Sequence, residues 1–246
     1  MREFEKDWQR RFERFARSYK DDHLISGWSE RGLRRRVALF NEILKKQRIP
    51  AKARVLDLGC GGGTYVRLLH SHGHKVVGLD YSFPSLYRAR DADPERTADY
   101  VVGEAYDLPF HDKSFDLVVS IGVLQALGDP ERALDEVARV LRPRGVIIVE
   151  FLNALELVAM IKSASEKLRG WSPRVRTYSP FRVNSWLAQR GLRSVQRAGV
   201  YLPPRRFSLL GWVFNRKEVV RMMEEIPGLS MAVAHAFLLV GVRKAG

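Results

Sequence analysis

Two aspartates, Asp57 and Asp80, with a cluster of glycines between them, are the residues of this chain best placed to do chemistry. Residues 55–69 read VLDLGCGGGTYVRLL, an apolar run that passes through Gly59, Gly61, Gly62 and Gly63 into an amphipathic stretch. Glycines let a backbone take positive φ and let a ligand approach closely. A helix starting behind them offers free amides and a partial positive charge to a carboxylate or phosphate. Counted from Gly59, the dinucleotide fingerprint would need Gly or Ala at 64, where Thr64 stands. Asp57 would oppose a pyrophosphate but can accept from an ammonium group, directly or through water. S-adenosylmethionine (SAM) carries that ammonium group and NAD does not.

The run KVVGLDYS ends its apolar part in Asp80, 23 residues after Asp57. An acid at the end of the second strand of such a unit is positioned to accept both ribose hydroxyls, and Tyr81 beside it can lie against adenine. In GEAYDLPF, residues 103–110, Glu104 or the Ala105 amide can reach the adenine edge. In SFDLVVSIGVLQAL, residues 121–125, beginning with Ile121, would line the reactive end of the ligand.

These residues need strands and helices to hold them. From Ala53 short apolar runs alternate with amphipathic stretches, the pattern of βα units and a parallel sheet. Strands are expected at about 53–58, 75–80, 99–102, 115–120 and 144–151, with helices at about 63–71, 83–91 and 130–141. Phe4, Trp8, Phe12, Phe15 and Tyr19 fall at spacings of three and four, one apolar face of a helix over 2–20. A second helix, N-capped by Ser29, should run to Gln47 and stop before Pro50. Residues 21–28 join them as a loop. Beyond residue 152 helices are expected at 154–168 and 180–190 and strands near 192–202 and 235–243. The stretch YLPPRRFSLLGWVFNRK between those strands reads as a loop over the site.

The block from about 53 to 152 resembles the class I SAM-dependent methyltransferase family, in particular its type 11 branch, at VLDLGCGGG, VVGLDYS, GEAYDLPF, SFDLVVS and LDEVARVLRPRGVIIVEF. The resemblance implies an α/β, Rossmann-like, seven-stranded and mostly parallel sheet with an antiparallel last strand, supplied by HAFLLVGVRK. It also implies SAM as cofactor, with Asp57, Gly59 and Gly61 at the methionine part, Asp80 at ribose, and Glu104 and Ala105 at adenine. Residues 1–50 are then an N-terminal helical lid or substrate segment, and 51–246 the SAM-binding domain with basic C-terminal substrate elements. Many relatives carry Asp at the position of Glu104 and a histidine-rich loop where this chain reads VLQAL. Gln125 cannot act as a general base.

Methyl transfer from a sulfonium is an in-line displacement that needs alignment and desolvation, with a base only where the acceptor is a hydroxyl of high pKa. The candidate bases are His23, between the N-terminal helices, and Glu150, at the end of the fifth strand; both can equally be solvated or hydrogen-bonded structural residues. His70, His72 and His74 read as a solvated turn on the far edge of the sheet, so no metal is expected. Cys60, the single cysteine, reads as a small packed residue, and Trp8, Phe12 and Phe15 as core or lid packing.

The 246 residues carry a net charge of +14. Residues 1–52 hold 15 Lys/Arg against 8 Asp/Glu, residues 53–152 hold 11 against 15, and residues 153–246 hold 16 against 5. Basic flanks suit an anionic acceptor, nucleic acid or lipid headgroups, or simply solubility. No run approaches the roughly 18 apolar residues of a membrane span and no signal-peptide pattern opens the chain, which reads as cytoplasmic. The expected activity is methylation of a small-molecule or lipid-linked anionic acceptor. Arg205, Arg206, Phe207, Leu209, Leu210, Trp212 and Phe214 are candidates for the acceptor pocket or for peripheral membrane contact. The alternatives are an RNA (tRNA) methyltransferase and a catalytically silent SAM-binding scaffold. Oligomeric state is not legible.

Overall fold

The βα rhythm folds as the spacing predicts. The computed structural model describes residues 3–95, 97–170, 175–202, 216–226 and 228–245. Its seven strands are β1 (Arg54–Leu58), β2 (Lys75–Asp80), β3 (Asp99–Val102), β4 (Phe115–Ser120), β5 (Leu141–Leu152), β6 (Leu192–Val200) and β7 (Ala236–Arg243). They form one sheet in the order β3-β2-β1-β4-β5-β7-β6. The first five strands run parallel. The final strand β7 enters antiparallel between β5 and β6.

Successive side chains of a strand point to opposite faces, and these strands bury both. On one face Val55, Leu117, Val119 and Ile148 pack with Phe40, Ile43, Tyr65 and Leu69. On the other, Leu56, Val118, Ile147 and Val149 pack with Leu134, Val137, Val183 and Leu187. The first helical layer comprises α3 (Glu30–Lys46), α4 (Thr64–Ser71) and α5 (Phe83–Asp91); the second includes α6 (Pro130–Val140) and α8 (Pro180–Gln189). The Ser29 hydroxyl accepts the Gly32 amide at 3.1 Å, the helix start expected at that serine. α1 (Glu3–Ser18) lies outside these layers and crosses the carboxyl edge of the sheet.

Three expectations change. Residues 21–28 are not all loop, because Asp22–Ile25 form a short helix, α2. The fifth strand begins at Leu141 rather than 144: LRPRG looks like a turn, but Arg144 takes a φ of 64° and the pairing with β4 slips there as a bulge. α9 (Lys217–Glu225) and α10 (Leu229–Val233) were not anticipated. Most of the loop expected over the site, including Arg205–Phe214, lies outside the described residues. Among the described residues no helix is long and apolar enough to cross a membrane.

Candidate functional site

Parallel strands end on one edge of the sheet, and the loops that leave β1, β2 and β4 there build the site. After β1 the chain turns through Gly59 at φ 75° and Gly61 at φ 52°. The Gly59 amide donates to the Leu79 carbonyl at 2.7 Å, and a Cβ at Gly59 would sit 2.3 Å from Val123 Cγ2. That loop is therefore closed against β2 and the β4 loop. A Cβ at Gly61 would meet nothing within 4 Å, because this glycine faces open space. From below, Asp22 of α2 accepts from both Thr64 Oγ1 and the Arg67 guanidinium. Thr64, which departs from the dinucleotide pattern, and Arg67, which also donates to the Gly62 carbonyl at 2.8 Å, thus link the N-terminal region to the glycine loop.

Asp80 ends β2 with its carboxylate fixed on both sides. Oδ2 accepts the Gly61 amide at 2.9 Å and Oδ1 the Ser82 amide at 2.8 Å. Each oxygen keeps a second lone pair, and the side chain lines the cavity. Burial raises the Asp80 pKa, while the Ser82, Gly61 and Tyr81 amides hold it down. Asp57 stands beneath the glycine loop, 1% exposed and outside the cavity lining, with Oδ2 unpartnered. Burial, and then the charge of Asp80, push its pKa up to about 8, against an opposing bond from the Val66 amide. The Tyr81 hydroxyl is buried without a hydrogen-bond partner.

Between this edge and α1 lies a cavity. Gly59, Gly61, Asp80, Tyr81, Glu104, Ala105 and Ile121, all expected at the site, line it together. The opposite wall comes from the N-terminal region: Trp8 and Phe12, stacked with centroids 5.2 Å apart, together with Ile25 and Trp28. α1 is held shut at both ends. Glu5 accepts from the Tyr106 hydroxyl and, at 2.8 Å, from the Gly128 amide, while Arg88 Nε donates to the Ala16 carbonyl at 2.9 Å. Burial and the Glu5 bond push the Tyr106 hydroxyl up to about 12.

Neither candidate base lines the cavity. His23 belongs to α2, where its carbonyl accepts the Trp28 amide at 2.7 Å. Glu150 is fully buried and accepts from Arg36 Nε at 2.6 Å. That guanidinium in turn lies 4.5 Å from the centre of the Trp28 ring. The structure therefore makes Glu150 the counter-ion of a buried arginine behind the cavity wall. His72 pairs with Asn41 at 2.9 Å, and among the described residues no three His, Cys, Asp or Glu side chains form a metal set. Sequence reading missed Glu5, Tyr106 and Trp28. The first two meet 101 residues apart, and a lone tryptophan in a loop carries no periodic signal.

Similarity to known proteins agrees with this geometry. A family model described as a methyltransferase domain matches residues 56–149. The ubiquinone biosynthesis O-methyltransferase of Rhizobium etli strain CFN 42 is 30% identical over 159 residues, which cover 61% of this chain and 64% of that protein. The match therefore spans just under two thirds of that relative. The demethylmenaquinone methyltransferase of Clavibacter sepedonicus is 34% identical over 173 residues, 59% of this chain and 68% of that protein. Among solved structures, an S-adenosylmethionine-dependent methyltransferase from Mesorhizobium loti superposes with a TM-score of 0.62 at 20% identity, covering 84% of this chain and 98% of the other. That last likeness shows the fold alone.

Proposed function

This chain belongs to the SAM-dependent methyltransferase family, and from that premise we propose that it methylates an apolar, ring-bearing small molecule. The observation that carries the acceptor class is the composition of the cavity wall. Trp8, Phe12, Ile25 and Trp28 face the ligand loops, Val123 and Leu127 of the β4 loop add to the apolar lining, and no Lys, Arg or His is among the lining residues described. The anionic acceptor suggested by the net charge meets no cation among the described lining residues; Arg205 and Arg206 lie outside them. The names of the quinone-biosynthesis relatives agree with a small ring-bearing acceptor.

The residues present fit SAM. Asp80 offers two fixed acceptor oxygens, Gly61 leaves room for a ligand against the backbone, and Asp57 keeps a buried, unpartnered oxygen behind the loop. When bound, SAM supplies a methyl group on a positively charged sulfur. The chain's own residues bind, orient and dehydrate: Asp80 takes hydroxyl donors, Tyr81 and Ala105 border a planar base, and α1 with Trp28 excludes water. No histidine or lysine among the described lining residues stands ready to remove a proton. The acceptor class is accordingly one whose nucleophilic atom is a carbon or an acidic phenol or enol, needing alignment more than a base.

Calorimetric titration with SAM and S-adenosylhomocysteine tests the first half. Asp80→Asn must turn its NH2 toward one of the two amides that the carboxylate now accepts, so it should weaken binding by at least about tenfold, roughly 1.4 kcal/mol. For the second half, cell extract is incubated with methyl-labelled SAM and separated into organic, aqueous and RNA fractions. Label in the organic fraction supports the proposal. Label in RNA assigns the tRNA alternative, and tight SAM binding without transfer assigns the silent scaffold.

A further inference from the structure

The next helix after β5, α7 (Leu157–Leu168), is built the wrong way round for a helix that serves only to cover its own protein. Leu157, Ile161, Ala164 and Leu168 recur at the spacing of one helical stripe. That stripe faces outward: Leu157 is 59% exposed, Ile161 64% and Leu168 90%, with Met160 at its border 51% exposed. The partly covered positions are Ala159 and Glu166, on the far side, and Ser165, on the shoulder of the stripe, and no residue of α7 is buried. Lysines flank the stripe, Lys162 on one side and Lys167 on the other, with Arg169 just beyond the helix. Lys162 makes only a long 3.8 Å pair with Glu166.

The base of the helix is nevertheless held firmly. Asn153 Nδ2 donates to the Met231 and Ala234 carbonyls at 2.6 and 2.9 Å, its Oδ1 accepts the Leu155 amide at 3.0 Å, and Glu156 pairs with His235 at 3.3 Å. Because β5 runs parallel to β4, α7 starts from the same edge of the sheet as the cavity loops.

We propose that α7 is a membrane-docking helix, whose Leu157–Ile161–Leu168 stripe enters the headgroup region of an anionic bilayer while Lys162 and Lys167 meet its phosphates. An outward aliphatic stripe between cations is the composition of an interfacial helix, and residues 153–246, with 16 Lys/Arg against 5 Asp/Glu, attract an anionic surface. A second copy of the chain would bring like charges together along the same flanks. RNA would meet lysines but find no aromatic ring in α7 on which to stack. The proposal stands independently of the methylation reading. It assigns the basic C-terminal segment to a surface outside the cavity, and it places the cavity edge near a bilayer.

The test is co-sedimentation of the full chain with vesicles of phosphatidylcholine alone or mixed with phosphatidylglycerol, comparing wild type, Ile161→Glu with Leu168→Glu, and Lys162→Glu with Lys167→Glu. These side chains point outward, so circular dichroism and SAM binding should be unchanged in every variant. Wild type is expected to sediment with mixed vesicles, less so as salt rises, and both double variants to lose at least about tenfold in partitioning. Wild type that stays in solution with mixed vesicles overturns the proposal, as does partitioning that the Ile161 and Leu168 substitutions leave unchanged. So does a concentration-dependent dimer that the same substitutions dissolve.

Discussion

Glu5, in the first turn of α1, accepts a hydrogen bond from the hydroxyl of Tyr106, which stands in the loop beyond β3 at the edge of the cavity. The bond joins the two walls of the ligand site, and the Gly128 amide donates to the same Oε1 at 2.8 Å. Glu5→Ala leaves the Tyr106 hydroxyl and the Gly128 amide without this acceptor, a loss of about 1–3 kcal/mol at the lid. Stopped-flow release of S-adenosylhomocysteine should then be about tenfold faster, and Tyr106→Phe, which also removes the acceptor of the Asp129 amide, should combine with Glu5→Ala less than additively because the two share the Glu5–Tyr106 bond. Fully additive effects in the double variant would show that the latch is not a unit.

Gly59 and Gly61 should separate folding from binding. Alanine at 59 would hold a strained φ of 75° and place its methyl 2.3 Å from Val123 Cγ2, costing about 2–4 kcal/mol by thermal or urea unfolding. Alanine at 61 meets no atom, so its cost is confined to the φ of 52°, about 1 kcal/mol, while the methyl occupies ligand space. Gly61→Ala is expected to lose SAM binding by calorimetry at nearly normal stability.

Arg36 and Glu150 form a buried pair, 2% and 0% exposed. Arg36→Met strands a buried carboxylate and should cost about 3–5 kcal/mol, whereas Arg36→Met with Glu150→Leu should recover most of it. Because Arg36 also lies over Trp28, the intrinsic fluorescence of the recovered double variant should still differ from wild type. Recovery of stability with wild-type emission would mean that Trp28 does not depend on the guanidinium.

Asp57 gives the free protein a pH signature. Its folded pKa, about 8, lies above the ordinary carboxylate value, so its contribution to stability is complete below the unfolded pKa and is lost as pH rises through about 8. Between pH of about 4 and 8, urea midpoints of the ligand-free protein should fall with rising pH. Asp57→Asn should flatten part of that slope, leaving the part due to Asp80, which is shifted in the same direction. An unaltered slope in Asp57→Asn would assign the effect to other groups.

The sequence by itself determined the sheet and the glycine-loop side of the cavity. Short continuous apolar runs, broken by Gly59–Gly63 and ended by Asp80, are local signals, and a strand–turn–helix built from them can place its ligand loops in only a few ways. Glu104, Ala105 and Ile121 followed from the same logic, since each sits just beyond a strand end. Only the tertiary structure decided what stands opposite. Glu5 finds Tyr106, Asp22 finds Thr64 and Arg67, and Arg36 finds Glu150 across 42 to 114 residues of chain. Pairings at such separations are set by how helices dock on a finished sheet, and no spacing in the chain encodes them. The same reason hid the orientation of α7: its period shows that one face is apolar, but only packing decides that this face looks outward.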